Sequence, residues 1–277
     1  MTDRIQRLRE INTGTIINRE KDAIARKYLP KFKTFFNHQR NVFLREFDSY
    51  KDLFPERASR SPLASKLIEA DRQLTLDDFD SVWFRTENLT NIDLQGLIIA
   101  EEYESMEVGY EISKSLFASG TGGSFDLANP RAVAWYSQNG GSLGYIKDIQ
   151  ATSKTQLHTI ITKSLDEGWS YNKTSQIIRE KFTDFSRNRA QLIATNEAAQ
   201  AYEAGNNIFT QGIIDMGVRM EKAWRNSGDD KVTDGCLANS AVGWIAFDQE
   251  FPSRDMYPPR FPACRCWCDY REAKKQV

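Results

Sequence analysis

Phe32, Phe35, Phe36, Phe43 and Phe47 recur at spacings of three, four and seven, which predicts a helix from about 31 to 50 with all five rings along one side. An aromatic stripe of that size has to be covered, so it reads as core rather than as a binding surface. Pro30 punctuates the helical pattern before the stripe, and the stretch from Pro55 to Pro62 breaks it afterwards. A second long helix, about 91 to 116, carries Leu94, Leu97, Ile98, Tyr103, Met106 and Tyr110. Glu101, Glu102, Glu104, Glu107 and Glu111 crowd it. So acidic a helix has either a solvated face or a basic neighbour.

The charge distribution supplies such a neighbour. The net charge of -1 conceals a first segment, 1–60, with 14 Lys+Arg against 8 Asp+Glu, and a second, 61–120, with 4 against 12. These helical segments of net +6 and -8 can pair with each other or offer opposite faces to different partners. No run of about 18 apolar residues occurs, and the start Met1-Thr2-Asp3-Arg4-Ile5-Gln6-Arg7 lacks the apolar core of a secretion signal, so no membrane insertion is expected.

At roughly 150 residues per domain, the length of 277 suggests about two domains. The string Ala118-Ser119-Gly120-Thr121-Gly122-Gly123-Ser124 is the best linker, since it lacks the Gly-Lys-Ser/Thr that would engage a phosphate. A boundary near 120 therefore divides a helical N-terminal region, 1–120, from a second module, 121–277. In that module Asn129-Pro130 starts a helix and Gly140-Gly141 ends it. Leu157, Ile160, Ile161 and Leu165 form the next stripe, closed by Gly168. Ser170 caps a helix carrying Ile177, Ile178 and Phe182, followed by a helix from Arg187 whose small residues permit close packing. Helices extend to about 215. Past Gly217, Val218, Met220, Trp224, Trp244, Ile245 and Phe247 sit in short segments between Gly, Asp and Pro clusters, which predicts a β-rich tail over 216–277. The fold class is α+β, with a mostly helical N-terminal two-thirds followed by a small β-rich C-terminal unit closed by a cysteine-rich segment.

Three groups of residues are candidates for chemistry. Glu197 falls in the apolar stripe of Ala190, Ile193, Ala194, Ala201 and Ile208. A carboxylate placed toward a core should meet an arginine or several backbone amides, so a structural ion pair is expected rather than acid or base catalysis. On that reading, Glu197→Gln would strand the partner. Asp229-Asp230-Lys231 with Asp234 resembles the acidic chemistry of metal-dependent nucleases but has turn composition. The only histidines, His38 and His158, precede all four cysteines, Cys236, Cys264, Cys266 and Cys268, which weakens a histidine-activated nucleophile. Cys264, Cys266 and Cys268 alternate, so in a strand they would share one face. With Cys236 they could clasp zinc through four thiolates, or all four could be plain buried thiols. The spacing is atypical of structural zinc.

The series Gly168-Trp169-Ser170, Arg189-Ala190, Ile193-Ala194-Thr195-Asn196-Glu197, Lys222-Ala223-Trp224, Asp229-Asp230, Cys236, Phe251 and Pro258-Pro259-Arg260-Phe261-Pro262-Ala263-Cys264-Arg265-Cys266 resembles the minor head proteins of tailed phages, the group typified by the F protein of phage Mu. The resemblance covers about residues 130 to 270. It departs from the family where Thr233-Asp234-Gly235-Cys236 replaces a Cys-x-x-Cys, where Phe261 replaces a histidine, and where Asn196 precedes Glu197 in place of threonine. The first two departures remove metal ligands, although Cys268 could substitute for one, so no cofactor is carried over. If the family's cysteines are structural clasps, Cys236, Cys264 and Cys266 inherit that role.

The resemblance implies a non-enzymatic virion component at the portal vertex, in the head interior or host cytoplasm during assembly, acting in head assembly or genome ejection. Its partners would be the portal protein, capsid or scaffold proteins, and packaged DNA. Arg4, Arg7, Arg9, Arg26, Lys27, Lys31 and Lys33 would be the DNA contacts, though a solvated helix face accounts for them equally well. The chain ends at Val277, so no appended toxin domain is expected. Two rivals remain: a nuclease or transferase using Glu197, Asp229 and Asp230, and a zinc-stabilised DNA-binding module, whose affinity would fall steeply with salt.

Overall fold

The computed structural model describes residues 2–54, 74–116, 125–126, 128–139 and 143–274. The elements are α1 (Thr2–Asp48), α2 (Leu76–Leu116), α3 (Pro130–Asn139), α4 (Leu143–Asp166), α5 (Tyr171–Asp215), β1 (Met220–Arg225), α6 (Asp234–Ala241), β2 (Trp244–Ala246) and β3 (Trp267–Glu272). The expected α+β class holds: long helices precede one small antiparallel sheet of order β2-β1-β3. The Gly-rich string 118–124, Gly140-Gly141 and the break from Pro55 to Pro62 lie outside the described residues.

Two helices are longer than their sequence signals. Pro30 lies inside α1 rather than ending a helix. A mid-helix proline removes one backbone bond and crowds the carbonyl four residues back, at a cost of about 3 kcal/mol. That cost is offset by the buried Tyr28, Phe32, Phe35 and Phe36 on either side. Likewise α5 runs unbroken for 45 residues through the two helices expected after Ser170. The expected signals at helix ends are present. The Asn129 side chain accepts the Arg131 amide at 2.9 Å, Ser170 Oγ accepts the Lys173 amide at 3.3 Å, and Gly168 takes φ +62 beyond α4.

The chain forms two compact units, neither of them one continuous stretch. One comprises Met1–Leu29, Ile98–Gly141 and Gln191–Val277, and the other Pro30–Leu97 and Ser142–Ala190. The second unit holds the aromatic stripe. Phe43 stacks on Phe47 at 5.5 Å and meets Phe79 at 5.9 Å, while Phe47 contacts Phe54 and Tyr171. His158 stands edge-on to Phe79 at 5.4 Å, as a packing residue. A buried amide chain crosses this core: Gln39 donates to Gln150, which donates to Asn91.

In the first unit α2 meets α5 through glycine. A Cβ on Gly205 would collide with the Met106 carbonyl, and one on Gly109 with the Tyr202 carbonyl, so the two backbones approach as closely as backbones can. Met106, Ala132, Ala201, Ala204 and Ile208 fill the space around that contact. The acidic face of α2 is partly paired with α1, because Lys27 reaches Glu104 at 2.6 Å and Tyr28 donates to the same carboxylate. Both outcomes expected of this helix occur: Glu104 has the basic neighbour, whereas Glu107 is solvated.

Candidate functional site

The C-terminal sheet gathers the cysteines. On β1, Lys222 pairs with Ile245 of β2 and Tyr270 of β3, and Trp224 stands opposite Cys268. Between β2 and β3 the chain makes a long excursion with little regular structure, held by polar contacts rather than by a ladder. The buried Lys222 ammonium donates to the Met256 carbonyl at 2.8 Å, the Arg260 guanidinium grips Asp255 at 2.7 Å, and the Cys264 amide donates to the Phe261 carbonyl. Ala263 sits in the left-handed region at φ 67, which turns the chain back toward α6.

Strand β3 begins only at Trp267, so Cys264 and Cys266 lie in the preceding loop and the expected face of three alternating strand cysteines is not formed. Instead, the sulfurs of Cys236, in the first turn of α6, and of Cys264 and Cys266 lie within 4.8 Å of one another. Cys268 falls outside this group and is wholly buried among Glu203, Lys222 and Asp269. All four are free thiols, packed with Trp224 and Phe251.

The three clustered sulfurs are not equivalent. The Cys266 thiol donates to Cys264 and holds it below the ordinary thiol range against the opposing effect of burial. The amides of Cys266 and Arg260 and the Cys236 thiol act in the same direction. Donating that proton, together with burial, pushes Cys266 up. Arg260 also hydrogen-bonds Cys236. The trio lines a cavity of about 180 Å³ with Asp229, Lys231 and Phe261 among its walls.

Glu197 is buried, as its stripe required, but its partners are not the expected ones. It accepts from the Asn196 amide at 3.1 Å and is hydrogen-bonded to Glu102 of α2, itself 3% exposed, and no lysine or arginine pairs with it among the described residues. A carboxyl neutralises itself more cheaply by holding a proton than by importing a cation into a helix contact. Burial accordingly pushes Glu197 up, against the hydrogen bonds from Asn196 and Glu102. A raised acid makes the folded chain hold a proton that the unfolded chain releases. Its contribution to stability is therefore complete below the ordinary carboxylate value of 4.5 and is lost as pH rises through the raised value. Glu197→Gln should remove that loss while preserving the fold, so urea midpoints of parent and variant should diverge as pH is raised from 4.5. Parallel pH profiles would show that no proton is held there.

The cation expected at Glu197 is found six residues on. Glu203, fully buried, takes the Lys21 ammonium at 2.6 Å and also accepts the Cys268 amide, while Lys21 donates to the Cys266 carbonyl. Sequence reasoning missed this pair, although Lys21 lies in the stripe of Ile17, Ile24 and Tyr28.

The acidic run is a turn: Asp229 Oδ1 accepts the Lys231 amide at 3.0 Å, and its other oxygen pairs with Arg265. Asp229, Asp230, Asp234 and Glu197 form no ligand cluster among the described residues. Of the basic candidates, Arg26 and Lys31 are exposed on α1, Lys33 is half-buried and Lys27 is paired with Glu104. The side chains of Arg4, Arg7 and Arg9 lie outside the described residues. No helix of the described residues is long and apolar enough to cross a membrane.

Residues 155–268 match the family model described as Phage Mu protein F like protein, from within α4 to Cys268 of β3. No curated protein and no solved structure matches the chain. The matched span contains all of α5 with Glu197 and Glu203, β1 with Lys222 and Trp224, α6 with Cys236, and the excursion between β2 and β3 with Cys264 and Cys266. Across residues 155–268 the chain is thus similar to the phage Mu protein F-like family, a family of the phage head-morphogenesis type.

Proposed function

We propose that the protein is a minor structural component of a phage head, placed at the portal vertex and acting in head assembly or genome ejection, without an enzymatic role. The family match over 155–268 carries this reading. The geometry supports it: the carboxylates a nuclease would use are separately engaged, Glu197 with Asn196 and Glu102 and Asp229 with Arg265. What the fold offers is a cross-braced unit in which a C-terminal sheet is tied to α1 and α5 by Lys21 and Glu203. The partners are the portal oligomer, capsid or scaffold proteins and, through Arg26, Lys31 and Lys33 of α1, packaged DNA. The division near residue 120 into an N-terminal region, 1–120, and a module, 121–277, belongs to the same proposal.

Mass spectrometry of purified proheads and virions tests it. The chain should be present in both, at few copies relative to the major capsid protein, and should co-purify with the portal oligomer. Its absence from both particles, together with metal-dependent cleavage of DNA by the free protein, would establish the nuclease reading instead.

A further inference from the structure

We infer that Cys236, Cys264 and Cys266 form a three-thiolate site for one zinc-class divalent ion, with solvent from the adjoining cavity as the fourth ligand. The ligand set differs from the four-cysteine clasp suggested by spacing, because Cys268 is held apart on β3.

Four observations converge on this site. The three sulfurs lie within 4.8 Å of one another, and thiolates bound tetrahedrally at about 2.3 Å from zinc stand about 3.8 Å apart, so closure needs a shift of no more than about 1 Å. Backbone amides of Arg260 and Cys266 donate to the Cys264 sulfur, and the Arg260 guanidinium bonds Cys236; such donors orient and stabilise thiolate ligands. The indole N–H of Trp224, wholly buried, hydrogen-bonds the Cys266 sulfur. A donor in that place stabilises a thiolate ligand at Cys266. Finally, three thiolates with a divalent ion carry one net negative charge, which Lys231 on the cavity balances, Arg260 and Arg265 being paired with Asp255 and Asp229.

The chemistry selects the ion. A protein donor set of three thiolates favours zinc and its analogues over magnesium or calcium, which require oxygen. The only carboxylate on the cavity, Asp229, is already paired with Arg265. The ion would tie α6 to the irregular segment before β3, so that an excursion with few ladder bonds acquires a covalent-strength clasp.

The test uses the full chain, reduced, stripped with a chelator and titrated with Zn2+ and, separately, Co2+. About one ion should bind per chain, with a rise in melting temperature. Cobalt should show the visible bands of tetrahedral coordination and a sulfur-to-metal band with the intensity of three thiolates. Cys264→Ser should weaken Zn2+ binding by about 100-fold or more, since even outer-shell changes cost 10- to 100-fold. Should that variant fail to fold, the cobalt spectrum of the parent still decides. No sulfur-to-metal band and no zinc-dependent melting shift in the parent would leave three buried thiols and overturn the inference. A band of four-thiolate intensity would overturn the ligand set by bringing in Cys268.

Discussion

Gly205→Val should destabilise the unit built from residues 1–29, 98–141 and 191–277 by about 4 kcal/mol, the size expected when an overpacked contact cannot relax. The new side chain would meet the Met106 carbonyl and the Tyr110 amide, both backbone groups of α2 that cannot rotate aside. Gly205→Ala is the finer test. Alanine favours the helix by about 1 kcal/mol over glycine, whereas the collision costs about 3 kcal/mol, so the net change should still be destabilising. Gly212→Ala, elsewhere on α5 with nothing within 4 Å of its would-be Cβ, keeps only the favourable part and should raise the urea midpoint. Tryptophan fluorescence in urea distinguishes the two. Equal midpoints for both alanine variants would mean that α2 and α5 do not touch through their backbones.

Lys21→Met should cost about 3–5 kcal/mol, because it leaves the Glu203 carboxylate fully buried with no cation. Removing both charges together, as Lys21→Met with Glu203→Leu, should recover most of that loss, since an apolar pair of similar volume avoids the desolvation that an ion pair must overcome. The Cys268 amide would then lose an acceptor, so recovery should fall short by about 1 kcal/mol. If Lys21→Met alone shifted stability by less than 1 kcal/mol, the buried pair would not be holding α1 to α5 in solution.

Several features were legible because they depend on neighbours in the chain. The spacing of Phe32, Phe35, Phe36, Phe43 and Phe47 identified a core face, and all five rings are buried. Asn129-Pro130 and Gly168 marked helix ends, and the changed character past Gly217 marked the sheet-forming tail. The series from Gly168 to Cys266 carried the resemblance to the phage Mu protein F-like family. Pro30 misled, because a local penalty was weighed without the buried aromatic surface flanking it, which is larger.

What the sequence by itself determined is therefore periodic and local: which faces are apolar, where helices begin, that Glu197 points inward, and which family the segment from 155 to 268 resembles. Which residue meets which across the fold was settled by tertiary structure alone. Glu197 found Glu102 rather than an arginine, Glu203 took Lys21 from 182 positions away, and Cys264 and Cys266 turned from Cys268 toward Cys236. The physical reason is that periodicity reports the direction of a side chain about its own helix or strand, whereas a partner is set by how closely two backbones approach. That distance depends on glycines such as Gly109 and Gly205, whose effect is seen only when the opposing chain is in place.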